Sequence, residues 1–155
     1  KVSTKSNLVT MQIGLVSCTK SKRTKPAIPR DLYDTSALFR KARGYCESHH
    51  ETWYVLSAKH GLLEPDSSEI EPYDETLTDA TVDERREWSS QVAEQLSDAG
   101  LLDDDIVLVI HAGKAYYEHL LPQIEPEVAE VHIPTEELAI GETLAWYNEQ
   151  ASNDT

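Results

Sequence analysis

Residues 12–22 read Gln-Ile-Gly-Leu-Val-Ser-Cys-Thr-Lys-Ser-Lys, an apolar run that passes directly into a segment rich in hydroxyl groups and lysine. The short, continuous apolar half is typical of a buried strand. Because Ser17, Cys18 and Thr19 come directly off this strand, their side chains cannot all face water. The stretch therefore predicts a first strand with a polar loop at its carboxyl end, and open α/β sheets bind ligands at that end.

Three other apolar runs also have the length of strands. They lie at Trp53–Ala58, Ile106–Ile110 and Val128–Ile133. Such continuous apolar strands imply that both faces of the sheet are covered. We predict an α/β fold, a three-layer Rossmann-like doubly wound sheet with about four mainly parallel strands and helices on both faces.

The segments between these strands carry helix signals. Thr35 or Ser36 can cap a helix that runs to about His50. Thr81, with Glu84 three residues later, forms a capping box for another helix. Two further helices are predicted, a short one closed by Pro122 and a last one from Ile140 to about Gln150.

Two loops stand out in this pattern. Pro26 and Pro29 exclude a helix from the first, which runs from Thr19 to Arg30. The second runs from Lys59 to Thr78, and a loop of that length inside a compact domain is usually functional or a lid.

The chain length of 155 residues fits a single domain, which we place at residues 11–150. The strand pattern begins right after Met11, the only methionine, so we expect residues 1–10 to be a leader or disordered extension and residues 151–155 a tail. No apolar run has the length of a membrane span, and no signal-peptide pattern is visible. Two cysteines are too few for a disulfide framework, so we expect a cytoplasmic protein.

Charge is distributed unevenly along the chain. Residues 1–50 carry a balance of +7 and the remainder a balance of −21, which gives the net charge of −14. This acidic body suggests a high-salt organism, where carboxylates keep the surface hydrated, although an ordinary acidic protein is the alternative. Because such a surface repels a polyanion, nucleic-acid binding would depend on the basic first third of the chain.

Polar and cationic residues collect where each predicted strand ends. After the first strand, hydroxyl and ammonium groups of Ser17, Thr19, Lys20 and Lys22 suit a phosphate or a carboxylate. The alternative is a solvated basic loop. Cys18 is a candidate nucleophile if neighbouring cations lower its pKa, or else a buried packing residue.

The second predicted strand ends in Ser57-Ala-Lys-His-Gly61. Lys59 is a candidate anion ligand or base and His60 a candidate general acid or base, although His60 can equally cap the loop. Gly61 is expected to adopt a backbone conformation closed to other residues.

After the third predicted strand, Gly113 allows a ligand to approach the backbone, and Tyr116 is placed to face that ligand or stack on a base. The six histidines are scattered, with only His49 and His50 adjacent, so we expect no metal site. No cofactor is implied.

Four motifs resemble a widespread group of small bacterial, archaeal and phage proteins of unknown function. They are Ser17-Cys-x-Lys-x-Lys, Asp31-Leu-Tyr33-x-x-Ser36, Leu56-Ser-Ala-Lys-His-Gly-Leu62 and Glu71-Pro-Tyr-Asp74. The same frame resembles the YaaA peroxide-stress family, and more distantly the core of archaeosine synthases, which modify a deazaguanine base in tRNA. The resemblance implies a ligand site that includes Ser17, Lys20, Tyr33, Ser36, Ser57, Gly61 and Tyr73. Cys18 stands where YaaA proteins have proline, and Lys59-His60 replaces a shorter, uncharged stretch.

These observations favour an enzyme that binds or modifies a nucleobase- or nucleotide-type anionic ligand at the strand ends. A transferase and a lyase or hydrolase are both open. In this hypothesis Lys20 and Lys22 hold the anionic group, Tyr33 or Tyr116 stacks on the base, and Lys59 or His60 transfers protons. The alternatives are a nucleic-acid-binding or stress-response module and a non-catalytic ligand-binding protein. We expect no membrane partner.

Overall fold

Five strands form one sheet in the computed structural model, which describes residues 10–153. They are β1 (Met11–Ser17), β2 (Thr52–Ser57), β3 (Gly61–Leu63), β4 (Ile106–His111) and β5 (Glu130–His132). Their order across the sheet is β3-β2-β1-β4-β5. The pairs β1–β2, β1–β4 and β4–β5 are parallel, and β3 is antiparallel to β2. The predicted α/β class and mainly parallel sheet are confirmed.

The strand count differs from the sequence prediction, which is about four. The additional strand, β3, lies within the segment predicted to be a long loop. Gly61 has φ 77, so the chain reverses directly after β2 and residues 61–63 pair back onto Val55–Ser57. A three-residue strand is too short to show the period-two alternation by which strands are identified from sequence.

Six helices are described within residues 10–153. They are α1 (Pro29–Leu32), α2 (Ala37–His49), α3 (Val82–Asp98), α4 (Lys114–Tyr117), α5 (Leu121–Ile124) and α6 (Ile140–Asn153), with single 3₁₀ turns at Leu77–Asp79 and Glu125–Glu127. Both predicted caps are confirmed: Ser36 Oγ accepts from the Phe39 N–H, and Thr81 and Glu84 form a reciprocal capping box. The prediction that Pro29 excludes a helix is wrong, because proline at the first helical position lacks only an N–H that has no intrahelical partner there.

Packing of the helices separates into two groups. α2 contacts α6 and the central strands β1 and β2, whereas α3 contacts β3, α4 and α5. The strands supply fully buried side chains, among them Ile13, Leu15, Val55, Leu108 and Ile110. Burying each such side chain contributes roughly 1.5–3 kcal/mol, so the continuous apolar runs stabilise the sheet through both of its faces.

The topology places the ends of β1, β2 and β4 along one edge, because parallel strands share their direction. From β1 the chain proceeds to β2 on one side, and it later returns to β4 on the other side. The loops after β1 and β4 therefore diverge, and a crevice opens at this reversal of strand order.

None of the helices in residues 10–153 combines the length and apolar content required to cross a membrane. The expected leader falls largely on residues 1–9, which lie outside the described residues, as do residues 154 and 155 of the expected tail.

Candidate functional site

A cavity of about 180 Å³ lies between α2 and α6, beside the carboxyl ends of β1 and β4. Its walls are mainly apolar, with Leu38, Phe39 and Ala42 from α2 on one side and Ile140 on the other. A few polar side chains also line it, namely Ser17, Thr19, His111, Thr135, Thr143 and Tyr147. An apolar pocket with few polar groups at the reversal of strand order is the usual form of a small-molecule site.

Ser17, Cys18 and Thr19 divide between two regions of the site. Ser17 and Thr19 line the cavity, whereas Cys18 is 4% exposed and contacts Tyr116. The chain is still extended where it leaves β1, so successive side chains point in opposite directions. The expectation that these three side chains do not all face water is confirmed.

The second region is a group of buried side chains that we call the hydroxyl cluster: Cys18, Tyr33, Ser57, Tyr73 and Tyr116. Ser57 Oγ is 2.7 Å from the Tyr73 hydroxyl, and the Tyr73 hydroxyl is 2.5 Å from that of Tyr33. Cys18 Sγ lies 3.3 Å from the Tyr116 hydroxyl and accepts from the Ala58 N–H. The cluster joins the ends of β1 and β2 to the Glu71–Asp74 motif.

Hydrogen-bond capacity sets the direction of this chain of hydroxyls. Ser57 Oγ accepts from the N–H groups of Lys59 and His60, at 3.2 and 3.0 Å, which occupies both of its lone pairs. Its own hydrogen must then be donated to Tyr73, and Tyr73 in turn donates to Tyr33. Burial raises the pKa of Tyr33 and of Tyr73, so both phenols stay protonated near neutral pH. The Tyr33 hydrogen is therefore left for a further acceptor.

Lys22 and His60 both lie against the Tyr73 ring. The Lys22 Nζ is 4.4 Å from the ring centroid, within cation–π distance, and donates to the Lys20 carbonyl. Burial lowers the pKa of Lys22, an effect that the neighbouring Cys18, Asp74 and Glu75 oppose. His60 meets the same ring edge-on at 5.7 Å. Its pKa is lowered, by burial first and by the Lys59 charge second, which favours the neutral imidazole.

Several predicted site residues have structural partners instead. Ser36 caps α2, and the predicted positive φ of Gly61 is confirmed at the turn into β3. The side chains of Lys20 and Lys59 are exposed, although the Lys59 N–H binds Ser57. Gly113 lines the cavity.

The expected stacking of Tyr33 or Tyr116 on a base stays a prediction. Both rings are buried, with Tyr33 0% exposed and tilted against Phe39, and Tyr116 edge-on to Trp88. The Trp88 indole N–H also donates to the Ser57 carbonyl, which ties α3 to the end of β2.

The predicted site residues do not include His111, Thr143 or Tyr147. In the sequence His111 directly follows the apolar run 106–110, among the polar residues that collect where the predicted strands end, but no role is predicted for it. Burial, followed by the nearby His50 and His49, lowers its pKa to about 3, so the ring is neutral. Thr143 and Tyr147 lie on the buried face of α6. Site residues and packing residues on that face recur at the same helical spacing, so the sequence pattern does not distinguish them.

Carboxylates pair with three of the four arginines in residues 1–50. Arg23 pairs with Asp34, Arg43 with Asp31 and Glu47, and Arg30 with Asp66. These ion pairs reduce the positive charge that this part of the surface presents to a polyanion.

Comparisons with known proteins identify a family. The model of a family of unknown function, DUF6884, matches residues 13–149, which include most of β1, the other strands and both regions of the site. A search of curated proteins finds no match to the chain.

Proposed function

Since the chain belongs to the DUF6884 family, which is described as of unknown function, we propose a function from its own site: an enzyme that binds and modifies a nucleobase- or nucleotide-type small molecule. The observation that carries the proposal is the cavity between α2 and α6 at the reversal of strand order. Its apolar walls suit a flat heterocycle, and its hydroxyl groups suit the polar edge of a base.

In this proposal the anionic part of the ligand binds outside the cavity, at the loop that follows Thr19. Within residues 10–153 no lysine or arginine lines the cavity itself, but Lys20 and Lys22 come next in the chain after Thr19. Lys20 is exposed and Lys22 is partly buried, so one phosphate or carboxylate could be held between solvent and the Tyr73 ring.

The hydroxyl cluster supplies the chemistry in this proposal. A directed chain from Ser57 through Tyr73 to Tyr33 can donate a hydrogen bond at its far end, and neutral His60 beside Tyr73 can accept a proton from the ligand. Cys18 is a nucleophile only if its contact with Tyr116 opens, because its sulfur is buried beneath that hydroxyl. The reaction class, transferase or lyase/hydrolase, stays open.

Two further expectations belong to this proposal. The three-layer Rossmann-like arrangement is supported by the separation of the helices into an α2–α6 group and an α3–α4–α5 group. The resemblance of the Leu56–Leu62 and Glu71–Asp74 motifs to YaaA proteins and archaeosine synthases supports a ligand related to a nucleobase. The ion pairs of Arg23, Arg30 and Arg43 weigh against the nucleic-acid alternative.

A substitution that fills the cavity mouth tests the proposal. Gly113 lines the cavity and has an ordinary φ of −78, and a Cβ there would meet no heavy atom of the described residues within 4 Å. We expect Gly113→Trp to fold normally and to weaken ligand binding by roughly tenfold or more, a loss of about 1.4 kcal/mol at least. Isothermal titration calorimetry with nucleobases, deazaguanines, nucleosides and nucleotides at millimolar concentration measures the effect.

The matched control is Gly44→Trp, a glycine on α2 that also faces open space but does not line this cavity. The Gly44→Trp variant should bind any ligand found in the panel with the same affinity as the wild type. Equal binding by wild type and Gly113→Trp would remove the cavity from the proposal. Failure of the folded wild type to bind any compound of the panel would refute the proposal as a whole.

A further inference from the structure

Three metal-ligating side chains meet between α2 and β4, outside the hydroxyl cluster. Cys46 lies in the last turn of α2, His50 is the capping residue directly after that helix, and His111 is the last residue of β4. The cysteine sulfur and one nitrogen from each ring all lie within 4.8 Å of one another. Cys46 and His111 are buried, and His50 is partly buried.

We propose that Cys46, His50 and His111 form a binding site for a single Zn²⁺ ion. Sulfur and imidazole nitrogen are the donors that zinc prefers in proteins. On a tetrahedral ion with Zn–N bonds of about 2.0–2.1 Å, two nitrogens stand about 3.3 Å apart. The Nε2 atoms of His50 and His111 are separated by 3.3 Å, so the two rings already have the spacing of ligands on one ion.

The other nitrogen of each ring has a partner of its own. His111 Nδ1 lies 2.8 Å from the Tyr147 hydroxyl, and His50 Nδ1 lies 3.2 Å from Gln12 Oε1. When Nδ1 of each ring donates to its oxygen, both Nε2 lone pairs face the shared space. Oxygen acceptors behind ligating imidazoles orient the rings and increase their basicity, as in most zinc sites.

The backbone of β1 leaves room for this group. A Cβ at Gly14 would stand 2.6 Å from Cys46 Sγ and 2.8 Å from His50 Cδ2. The Tyr45 ring covers both histidines, with centroid distances of 5.6 Å to His50 and 5.3 Å to His111. The three donors therefore lie in a mostly apolar enclosure, which strengthens the attraction between a cation and a thiolate.

Zinc binding at this site requires no reactant other than the ion. The Cys46 S–H bond breaks as the Zn–S bond forms, and the proton goes to solvent, so the occupied site carries a net charge of +1. Three protein ligands leave one position for water or another molecule, which is the donor count of catalytic zinc sites. The zinc site shares His111 with the wall of the cavity, but none of its three ligands requires a molecule bound in the cavity.

Co²⁺ titration of the full chain, stripped of metal by a chelator and dialysis, tests the site. We expect one equivalent of Co²⁺ to produce tetrahedral d–d bands and a thiolate-to-cobalt charge-transfer band, both lost when Zn²⁺ is added. Cys46→Ala should abolish the charge-transfer band and weaken binding by more than tenfold. Tyr147→Phe should keep the band and weaken binding about tenfold, because only an outer partner is removed.

Cys18→Ala is the matched control, since Cys18 is the other buried cysteine and lies in the hydroxyl cluster. It should keep the band. The proposal would be overturned if the charge-transfer band survived in Cys46→Ala or were missing from the wild type. The contact between His50 and His111 would then be only a hydrogen bond between the two rings. If Cys46→Ala does not fold, X-ray absorption of the zinc-loaded wild type decides: one sulfur and two imidazoles support the site, and a shell without sulfur refutes it.

Discussion

Replacing Ser57 with alanine is expected to lower the free energy of unfolding by about 2–4 kcal/mol. The side chain is 0% exposed, and its hydroxyl contacts three groups: the Tyr73 hydroxyl and the N–H groups of Lys59 and His60. Truncation leaves the buried Tyr73 hydroxyl and the two part-buried N–H groups without this partner, and an unsatisfied buried polar group costs about 1–3 kcal/mol. Urea unfolding followed by tryptophan fluorescence measures the change.

Ser89 provides a matched control within the same protein. It is 1% exposed on α3, and its Oγ is buried without a hydrogen-bond partner among the described residues. Ser89→Ala should therefore leave stability unchanged or raise it by up to about 1 kcal/mol, because alanine favours a helix and no bond is lost. Equal losses at the two serines would mean that the contacts of the Ser57 hydroxyl contribute nothing beyond packing.

The second large effect is expected at Gly61, where alanine should cost about 3 kcal/mol. Two causes act together at this turn into β3. The residue has φ 77, which is strained for any side chain, and a Cβ would lie 2.2 Å from Gln95 Oε1. Gln95 cannot move freely, since its Oε1 accepts from the Leu62 N–H and its Nε2 donates to the His60 carbonyl.

Gly100→Ala separates these two causes. Gly100 follows α3 with φ 76, close to the φ of Gly61, but a Cβ there would meet no atom of residues 10–153 within 4 Å. Its replacement should cost only the strain, about 1 kcal/mol. Thermal or urea unfolding of both variants gives the difference, which we expect to be about 2 kcal/mol. If the two variants are equally destabilised, the contact with Gln95 is not a constraint on the turn.

Local patterns in the sequence were sufficient for much of the fold. The apolar run at residues 106–110 and its counterpart at 12–16 became the adjacent central strands β4 and β1, because a short apolar segment is most stable buried on both faces of a sheet. Ser36 and Thr81 capped helices as expected, since the capping interactions join residues only three positions apart. β3 was missed because its pairing depends on the reversal at Gly61 and on contact with α3.

The candidate site divides in the same way. That hydroxyl groups and cations follow β1 and β2 could be read from the residue order alone, because a strand end is a local feature of the chain. The link from Ser57 through Tyr73 to Tyr33, and the approach of Cys46 and His50 to His111, arise only in the folded chain. Those partners are brought together by strand order and by the packing of α2 against the sheet, and no spacing along the chain encodes a contact across 61 residues.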